Sequence, residues 1–390
     1  MHFNRKELTG AVKAAAKTIA KRNVQPILGC VKISLNKSDK WQVTSTDLDQ
    51  WFAQVLSSGV ATGTYGDVCI DAKQLLQVLA ASTDEIALVS NACGVVTVDG
   101  MKVESYDATD YPSMPGAELD IDSPHATMPA TELQRIIDQV AFAPADYDPT
   151  SILGTVCFDG NQIAGTDGSR LSVISSIDGY QATEPFKWLV YGAVLTKIVA
   201  PLLKAGVKAK TGVRLTPVSM HGRKGLAIEG SNWTLITRLN DGEYPRYQEL
   251  IPQQTAKSIT FSKADMVAAL KKLKPFVDKR ANTVTFDAVN CAARIDDHKA
   301  VVSTMRLSPA LVQAADDLTV VKWKCNYNYF LEAVESMPGD TVCLQFEAHL
   351  KPLIFQAGDY RHLLMPVQCK QIVVEVNERL EAAKRAMKAS

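Results

Sequence analysis

The sequence predicts an α+β protein built from three tandem similar domains, each with two helices packed on antiparallel sheet. Three observations predict it. A capped helix start is written three times, as Asn4 with Glu7, Thr131 with Gln134, and Ser262 with Asp265. In each, a short polar side chain can take an orphan helix N–H while the residue three places on sits in the first turn. The starts lie about 130 residues apart, the size of an ordinary domain. Consecutive strand-like runs are joined by short turns, which disfavours parallel winding through crossover helices. Finally, 390 residues are too many for one core.

The first repeat opens with a short strand at Met1–Phe3 and a helix expected from Arg5 to about Lys21. Leu8, Val12, Ala15 and Ile19 fall on one side of a helical wheel, with Lys6, Lys13 and Lys17 opposite. In an isolated helix that basic side reads as a solvated face. Strands follow in CVKISL, WQVTSTDL and FAQVLSS, then a helix in DAKQLLQVLAAS, then strands in EIALVSN, GVVTVDG and MKVESYD. Asn91 and Asp99-Gly100 mark turns. The stretch TDYPSMPGAELDIDSPH, with three prolines and four acids, reads as a linker.

The second repeat places Leu133, Ile136, Ile137 and Val140 on the buried face of its first helix. Strands in TVCFDGNQIAGTDGSRLSVISSI follow, then a helix over about 193–204, then VRLTPVSM, GLAIEG and WTLITRL. Lys197 and Lys204 lie opposite Leu195, Ile198, Val199 and Leu202. Pro201 breaks the rule for a helix interior, at about 3 kcal/mol unless the helix adjusts, so a kink is expected there. LNDGEYPRYQELIP is a second Tyr-Pro linker, echoing Asp110–Pro112.

The third repeat gives SITF, the helix KADMVAALKKL, strands, the helix NYNYFLEAVESM, strands TVCLQF and LIFQAG, and RHLLMPVQC. Its first helix region carries Lys271, Lys272, Lys274, Lys279 and Arg280. The expected boundaries are 1–122, 123–253 and 254–370, with a tail at 371–390. In the tail Val373, Val376, Leu380, Ala383 and Met387 recur at helical spacing, with Glu375–Arg379 and Glu381–Arg385 as i,i+4 pairs. That pattern suits an amphipathic helix seeking a surface, or a frayed terminus.

Composition is that of an ordinary globular protein, 46% hydrophobic and 22% charged. Lys+Arg and Asp+Glu both total 42, so net charge points to no partner. No run is long enough for a membrane span, and no signal-peptide pattern opens the chain. The eight cysteines are scattered, without C-x-x-C or metal spacing, and read as reduced, mostly buried thiols of a cytoplasmic protein.

No catalytic constellation stands out. Gly160 and Gly165 have the spacing of a phosphate loop, but Thr166-Asp167 follow where Lys-Ser/Thr is needed. H-E-x-x-H, G-x-S-x-G and a strand-borne G-x-G-x-x-G are absent, and the six histidines are dispersed. Asp47 and Asp167 hold matching places in STDLDQ and GTDGSRL, where an aspartate accepting backbone N–H bonds in a turn is the simplest reading. No metal, cofactor or enzyme activity is expected.

PILG at 26–29, STDL at 45–48, GTDGSRL at 165–171, DGEYPRYQELIP at 241–252 and LLMP at 363–366, in that order and spacing, resemble the bacterial β sliding clamp family. These clamps are processivity subunits of the replicative DNA polymerase. The resemblance runs in register to about residue 369. It implies the DNA clamp fold, a head-to-tail homodimer closed into a ring, helices lining the hole and sheets outside. The ring would be loaded by an ATP-driven loader and associate with the nucleoid. The lysine faces then gain a use: Lys6, Lys13, Lys17, Lys197, Lys204, Lys271 and Lys272 would face duplex phosphates without reading sequence. The family arrangement also puts the subunit contact near Met101–Tyr106 and Leu270–Leu273.

The resemblance further implies a pocket for short linear peptides of polymerase, clamp loader and repair proteins. Carried over by motif, it takes Thr166, Gly168, Arg170 and Leu171 from GTDGSRL, with Ile152 before them. Pro245 and Leu250 come from the second linker, Asn326 and Tyr329 from the last helix, and Leu350 and Pro352 from the loop before the final strand. Leu364, Met365, Pro366 and Val367 close it. Ser169 and Glu249 depart from the family's frequent His and basic residue. The tail also runs about 20 residues beyond the usual end, as a gate or extra partner site. Such divergence is in keeping with a phage- or mobile-element-encoded clamp. The alternatives are a clamp-like decoy or scaffold that binds the same partners without encircling DNA, and an enzyme acting through Asp47 or Asp167.

Overall fold

Helix α1 (Arg5–Ala15) starts where Asn4 Oδ1 accepts the Glu7 N–H at 3.1 Å. The Glu7 carboxylate does not close a capping box; it turns outward and accepts the Ser57 and Ser58 amides and hydroxyls. Leu8, Ala11, Val12 and Ala15 are completely buried on one side of the helix. The helix stops at Ala15, short of Lys21. Lys17 and Thr18 donate three residues back rather than four, and the Thr18 and Ser45 hydroxyls both satisfy the Ala15 carbonyl, at 2.9 and 2.8 Å.

This is a computed structural model, and it describes residues 1–19, 25–60, 66–90, 95–115, 124–206, 211–252, 257–287, 292–297, 300–306, 313–314, 322–347 and 351–367. Leu350, the tail at 371–390, and Cys93, Cys291 and Cys369 lie outside these residues. Of the described cysteines, Cys30, Cys69, Cys157 and Cys325 are free and buried, and Cys343 is free and half-buried.

The second helix, α2 (Ala72–Ala81), is capped by Asp71, whose side chain accepts from Gln74 N–H at 2.8 Å. Helix α3 (Ala130–Gln139) begins one residue before the expected cap. Ala130 N–H is taken by the Thr211 carbonyl, so Thr131 lies inside the helix. Helix α4 runs through Gly192–Val194, Leu195–Val199 and Ala200–Gly206, and its middle segment is a π turn. The expected distortion at Pro201 is this π turn: Ala200 N–H already reaches back to Leu195, and one loosened turn accommodates the missing donor. Helix α5 (Lys263–Leu273) is capped by Ser262, and α6 (Tyr327–Ser336) by Asn326.

The chain packs as two units, one of Met1–Ile137, Cys157–Asn161 and Ile177–Gly242, the other of Asp138–Val156, Gln162–Ser176 and Glu243–Ser390. The first holds a ten-stranded antiparallel sheet. Its order is Gln181–Ala182, Ala126–Pro129, Gly212–Met220, Arg223–Glu229, Trp233–Arg238, Gln50–Val55, Trp41–Thr46, Cys30–Leu35, Val68–Asp71 and Ser105–Tyr106. Its middle joint pairs Leu235 with Phe52 and Ile236 with Trp51, strands from opposite ends of the unit's sequence. A four-stranded sheet (His2–Asn4, Glu85–Ser90, Val96–Val98, Met101–Val103) lies in the same unit. Its last turn, Asp99-Gly100, has φ of 52° and 78° at its two residues, the mirror turn a tight hairpin needs.

The second unit carries the order Gln162–Thr166, Arg170–Ile174, Tyr360–Leu364, Leu353–Ala357, Thr341–Phe346, Lys257–Ser262 and Gln313–Ala314 within one sheet. A second sheet runs Ala300–Arg306, Ala292–Asp297, Thr283–Asp287, Lys322–Asn326. All described pairings in both units are antiparallel. The core of the second unit is aromatic, with Phe286 stacked at 11° on Trp323 and Phe330 edge-on to Phe355. Leu270 and Leu273 are both fully buried in it. The exposed side of α5 between them carries Lys271 and Lys272.

Candidate partner site and basic helix faces

Most of the residues expected to form a peptide pocket gather around one turn in the second unit. Between Thr166 and Arg170 the chain reverses through Asp167–Ser169, with Gly168 at φ 90°. Thr166 Oγ1 donates to the Arg170 carbonyl (2.5 Å) and accepts from Gly168 N–H (3.0 Å). Asp167 Oδ1 accepts from Ser169 and Arg170 amides at 2.9 and 3.1 Å. These are the reasons for a Thr, an Asp and a Gly at this spacing. The first unit repeats the wiring. Thr46 Oγ1 donates to the Gln50 carbonyl and accepts from Leu48 N–H, and Asp47 Oδ1 accepts from the Asp49 and Gln50 amides. Both aspartates thus serve their turns, and burial raises Asp47 to about 6 against those backbone bonds.

Arg170 is the hub. Its side chain is only 7% exposed, and every nitrogen has an acceptor. Nε donates to Asp167 Oδ2 (3.1 Å) and the Ala143 carbonyl (3.2 Å), Nη2 to the Phe142 carbonyl (2.8 Å), and Nη1 to Glu332. The guanidinium carbon sits 4.1 Å from the Tyr329 ring centroid and 5.3 Å from that of Phe142. A planar cation spanning two rings and two carboxylates is a rigid partition, which a lysine could not reproduce. Tyr329 in turn is hydrogen-bonded to Asp167, and burial together with that carboxylate raises its phenol above the ordinary value. Beneath lies His362, stacked on Phe142 and bonded through Nδ1 to Ser172 at 2.7 Å. Burial and the Arg170 charge push its imidazole down to about 3, so it is neutral.

The remaining residues fall into place by register. Arg170 pairs with Leu364 and Leu171 with Leu363. Met365 N–H donates to the Ser169 carbonyl (3.0 Å), and Val367 N–H to the Lys324 carbonyl (2.6 Å), two residues from Asn326. Asn326 Oδ1 accepts from Tyr329 N–H (3.2 Å), fixing the helix that carries Tyr329. Pro352 precedes Leu353, which pairs with Leu364. Met365 and Val367 are 46% and 42% exposed around Pro366, an apolar surface with a backbone already held in place. Ile152 lies in a short 3-10 turn tied to Ala145 through Leu153. Pro245 and Leu250 lie on the linker, which Tyr244 anchors through its hydroxyl to the Ala164 carbonyl; Leu250 is 60% exposed. Thr166, Gly168, Arg170, Leu171, Asn326, Tyr329, Pro352, Leu364, Met365, Pro366 and Val367 are therefore brought together. Ile152, Pro245 and Leu250 are held by separate bonds.

Sequence reading missed Phe142, Glu332 and His362. Glu332 lies three residues after Tyr329, on the same side of α6, and that spacing was a usable signal. His362 joins the site through the sheet register, and Phe142, in the turn after α3, through its carbonyl to Arg170 and its ring on His362.

All seven candidate DNA-facing lysines are exposed. In the first unit they are Lys6 and Lys13 on α1, Lys17 just past its end, and Lys197 and Lys204 on α4; in the second they are Lys271 and Lys272 on α5. Two are partly engaged. Lys17 Nζ donates to the Lys197 carbonyl at 3.4 Å, and Lys271 Nζ lies 2.9 Å from Glu335.

Residues 1–115 match the family described as DNA polymerase III beta subunit, N-terminal domain. The chain is 20% identical to the beta sliding clamp of Synechocystis sp. over 93% of this chain and 97% of that one. It is 23% identical to that of Streptomyces coelicolor, over 94% and 99%. The DNA polymerase sliding clamp from Bacillus subtilis superposes with a TM-score of 0.80 at 17% identity, over 94% of this chain and 98% of that one. The chain has the fold of the bacterial sliding clamps. A DnaN sliding clamp from Pseudomonas aeruginosa, solved bound to griselimycin, gives 0.79 at 17% identity, over 95% and 100%. The sliding-clamp fold therefore persists here at about a fifth of residues shared. Among the described residues no helix is long and apolar enough to cross a membrane.

Proposed function

We propose that the protein is a sliding clamp that encircles duplex DNA as a head-to-tail homodimer and tethers the replicative polymerase for processive synthesis, without catalysing a reaction itself. The observation that carries the reading is α1. One side is sealed into the core by Leu8, Ala11, Val12 and Ala15, and the exposed positions of the other are Lys6, Gly10 and Lys13, with Lys17 exposed just past the helix end. Lys197 and Lys204 continue the pattern in the first unit, and Lys272 with Lys271 in the second. Such ammonium groups attract phosphates regardless of sequence and let the duplex slide. Retention is then topological, and weak contacts suffice. Domains at 1–122, 123–253 and 254–370 would supply three of six similar segments of the ring.

The second-unit groove takes short apolar peptides from polymerase and clamp loader. Exposed Met365, Val367 and Leu250 supply contact area, while Arg170 holds the walls in position. The cytoplasm, at the nucleoid, is where such a ring would act. The test is to load the purified protein on nicked circular DNA and on the same DNA made linear. Retention on the circle and rapid loss from the linear form is expected; equal loss from both would leave no ring.

A further inference from the structure

The chain leaves the Arg170 groove at its rim. Met365 and Val367 stand exposed on either side of Pro366, in the group that also holds the half-buried Tyr329 and Pro352. Their backbone is pinned, since Met365 N–H donates to the Ser169 carbonyl and Val367 N–H to the Lys324 carbonyl. Residues 368–390, outside the described ones, follow directly from that fixed point. The clamp resemblance stops at about residue 369, so nothing in that fold calls for them.

Their sequence opens apolar. QIVVEV at 371–376 holds four β-branched apolar side chains in six positions, and Leu380, Ala383 and Met387 carry the apolar spacing onward. A run of this kind left in water is an aggregation hazard, and an apolar surface relieves it. The surface within shortest reach is the groove itself. Ile372 comes five residues after Val367, a span of up to about 17 Å, which lets the chain turn back over Met365. So short a tether gives an effective concentration on the order of 1 mM. The walls are already fixed by the Arg170 bonds to Asp167, Ala143 and Phe142, so docking orders little else. An intrinsic affinity as weak as about 0.1 mM then leaves the groove open only about a tenth of the time.

We propose that segment 372–376 docks on the Met365 and Val367 surface of its own chain and holds the groove closed until a partner peptide displaces it. Closure rests on reading the Arg170 groove as a peptide site; docking of the segment does not. The full chain, labelled with methyl-13C methionine, is compared with a Val373→Asp/Val376→Asp variant, and the Met365 signal is assigned with Met365→Leu. Unchanged signals from Met128 and Met266, both buried, certify that the variant is folded. Both chains are then titrated with the apolar pentapeptide Ser-Leu-Leu-Phe-Gly. The expected result is a displaced Met365 signal in the variant, and pentapeptide binding there about tenfold tighter than to the parent chain. An unmoved Met365 signal overturns docking, and equal pentapeptide binding by both chains then leaves the groove reading standing. A displaced signal with equal pentapeptide affinities overturns closure. A displaced signal with no pentapeptide binding to either chain supports docking and removes the groove as a site for this peptide.

Discussion

Lys17 Nζ lies 3.4 Å from the carbonyl oxygen of Lys197, the acceptor that an α-helical residue 201 would use. Pro201 has no N–H to offer, so an ammonium from the turn after α1 takes the vacated place and joins that turn to the π turn of α4. Lys17→Met should lower the stability of the first unit by about 1 kcal/mol. In a Pro201→Ala background, where a backbone donor is restored, the same change should cost little. A denaturation double-mutant cycle measures this; equal costs in both backgrounds would remove the strap.

The lysines not so engaged should act through phosphates. Lys13→Gln and Lys204→Gln are each expected to reduce the dependence of log K on log salt by about 0.9 for duplex DNA. Fold and thermal midpoint should hardly change, since both side chains are exposed. Binding isotherms at four salt concentrations read the slope, and an unchanged slope would take these residues out of the DNA contact.

Arg170→Ala should cost about 3–5 kcal/mol, because it leaves Asp167 buried with the charge it was paired to removed. Arg170→Lys should recover only part of this, as one ammonium cannot serve two carbonyls and two carboxylates while lying on Tyr329 and Phe142. Urea unfolding of the three proteins gives the order. Peptide affinity at the Met365 surface should fall with it.

His362 sets an acid limit. Its folded value of about 3 lies below the ordinary histidine range, so the unfolded chain binds the proton more readily. Stability from this group is whole above about pH 6.5 and is lost as pH falls toward 3, by at most about 1.4 kcal/mol per pH unit. His362→Gln should flatten that part of the profile. Thermal midpoints at pH 7.5, 6 and 5 for both proteins test it, and parallel profiles would assign the acid lability elsewhere.

Local chemistry was legible in the sequence. Asn4 and Ser262 cap their helices as their residue types require, and Thr166 and Asp167 close a turn that STDL and GTDGSRL both spell. Thr131 misled because a carbonyl far along the chain, that of Thr211, does the capping instead. The same reason hid His362, whose neighbours are chosen by strand register, and Phe142, whose carbonyl and ring meet residues far along the chain; no local pattern encodes either. Lys6 and Lys13 could be placed on an exposed face from spacing alone, whereas Lys271 could not be seen to meet Glu335 across two helices.

The seam between Trp233–Arg238 and Gln50–Val55 is written in main-chain amides and carbonyls. Such a seam is blind to which side chains it carries, provided they alternate inward and outward. Lineages can therefore exchange most of their letters there while the ribbon stays continuous. A fragment cut after the first repeat would instead bare the Gln50–Val55 edge, and should clump with copies of itself.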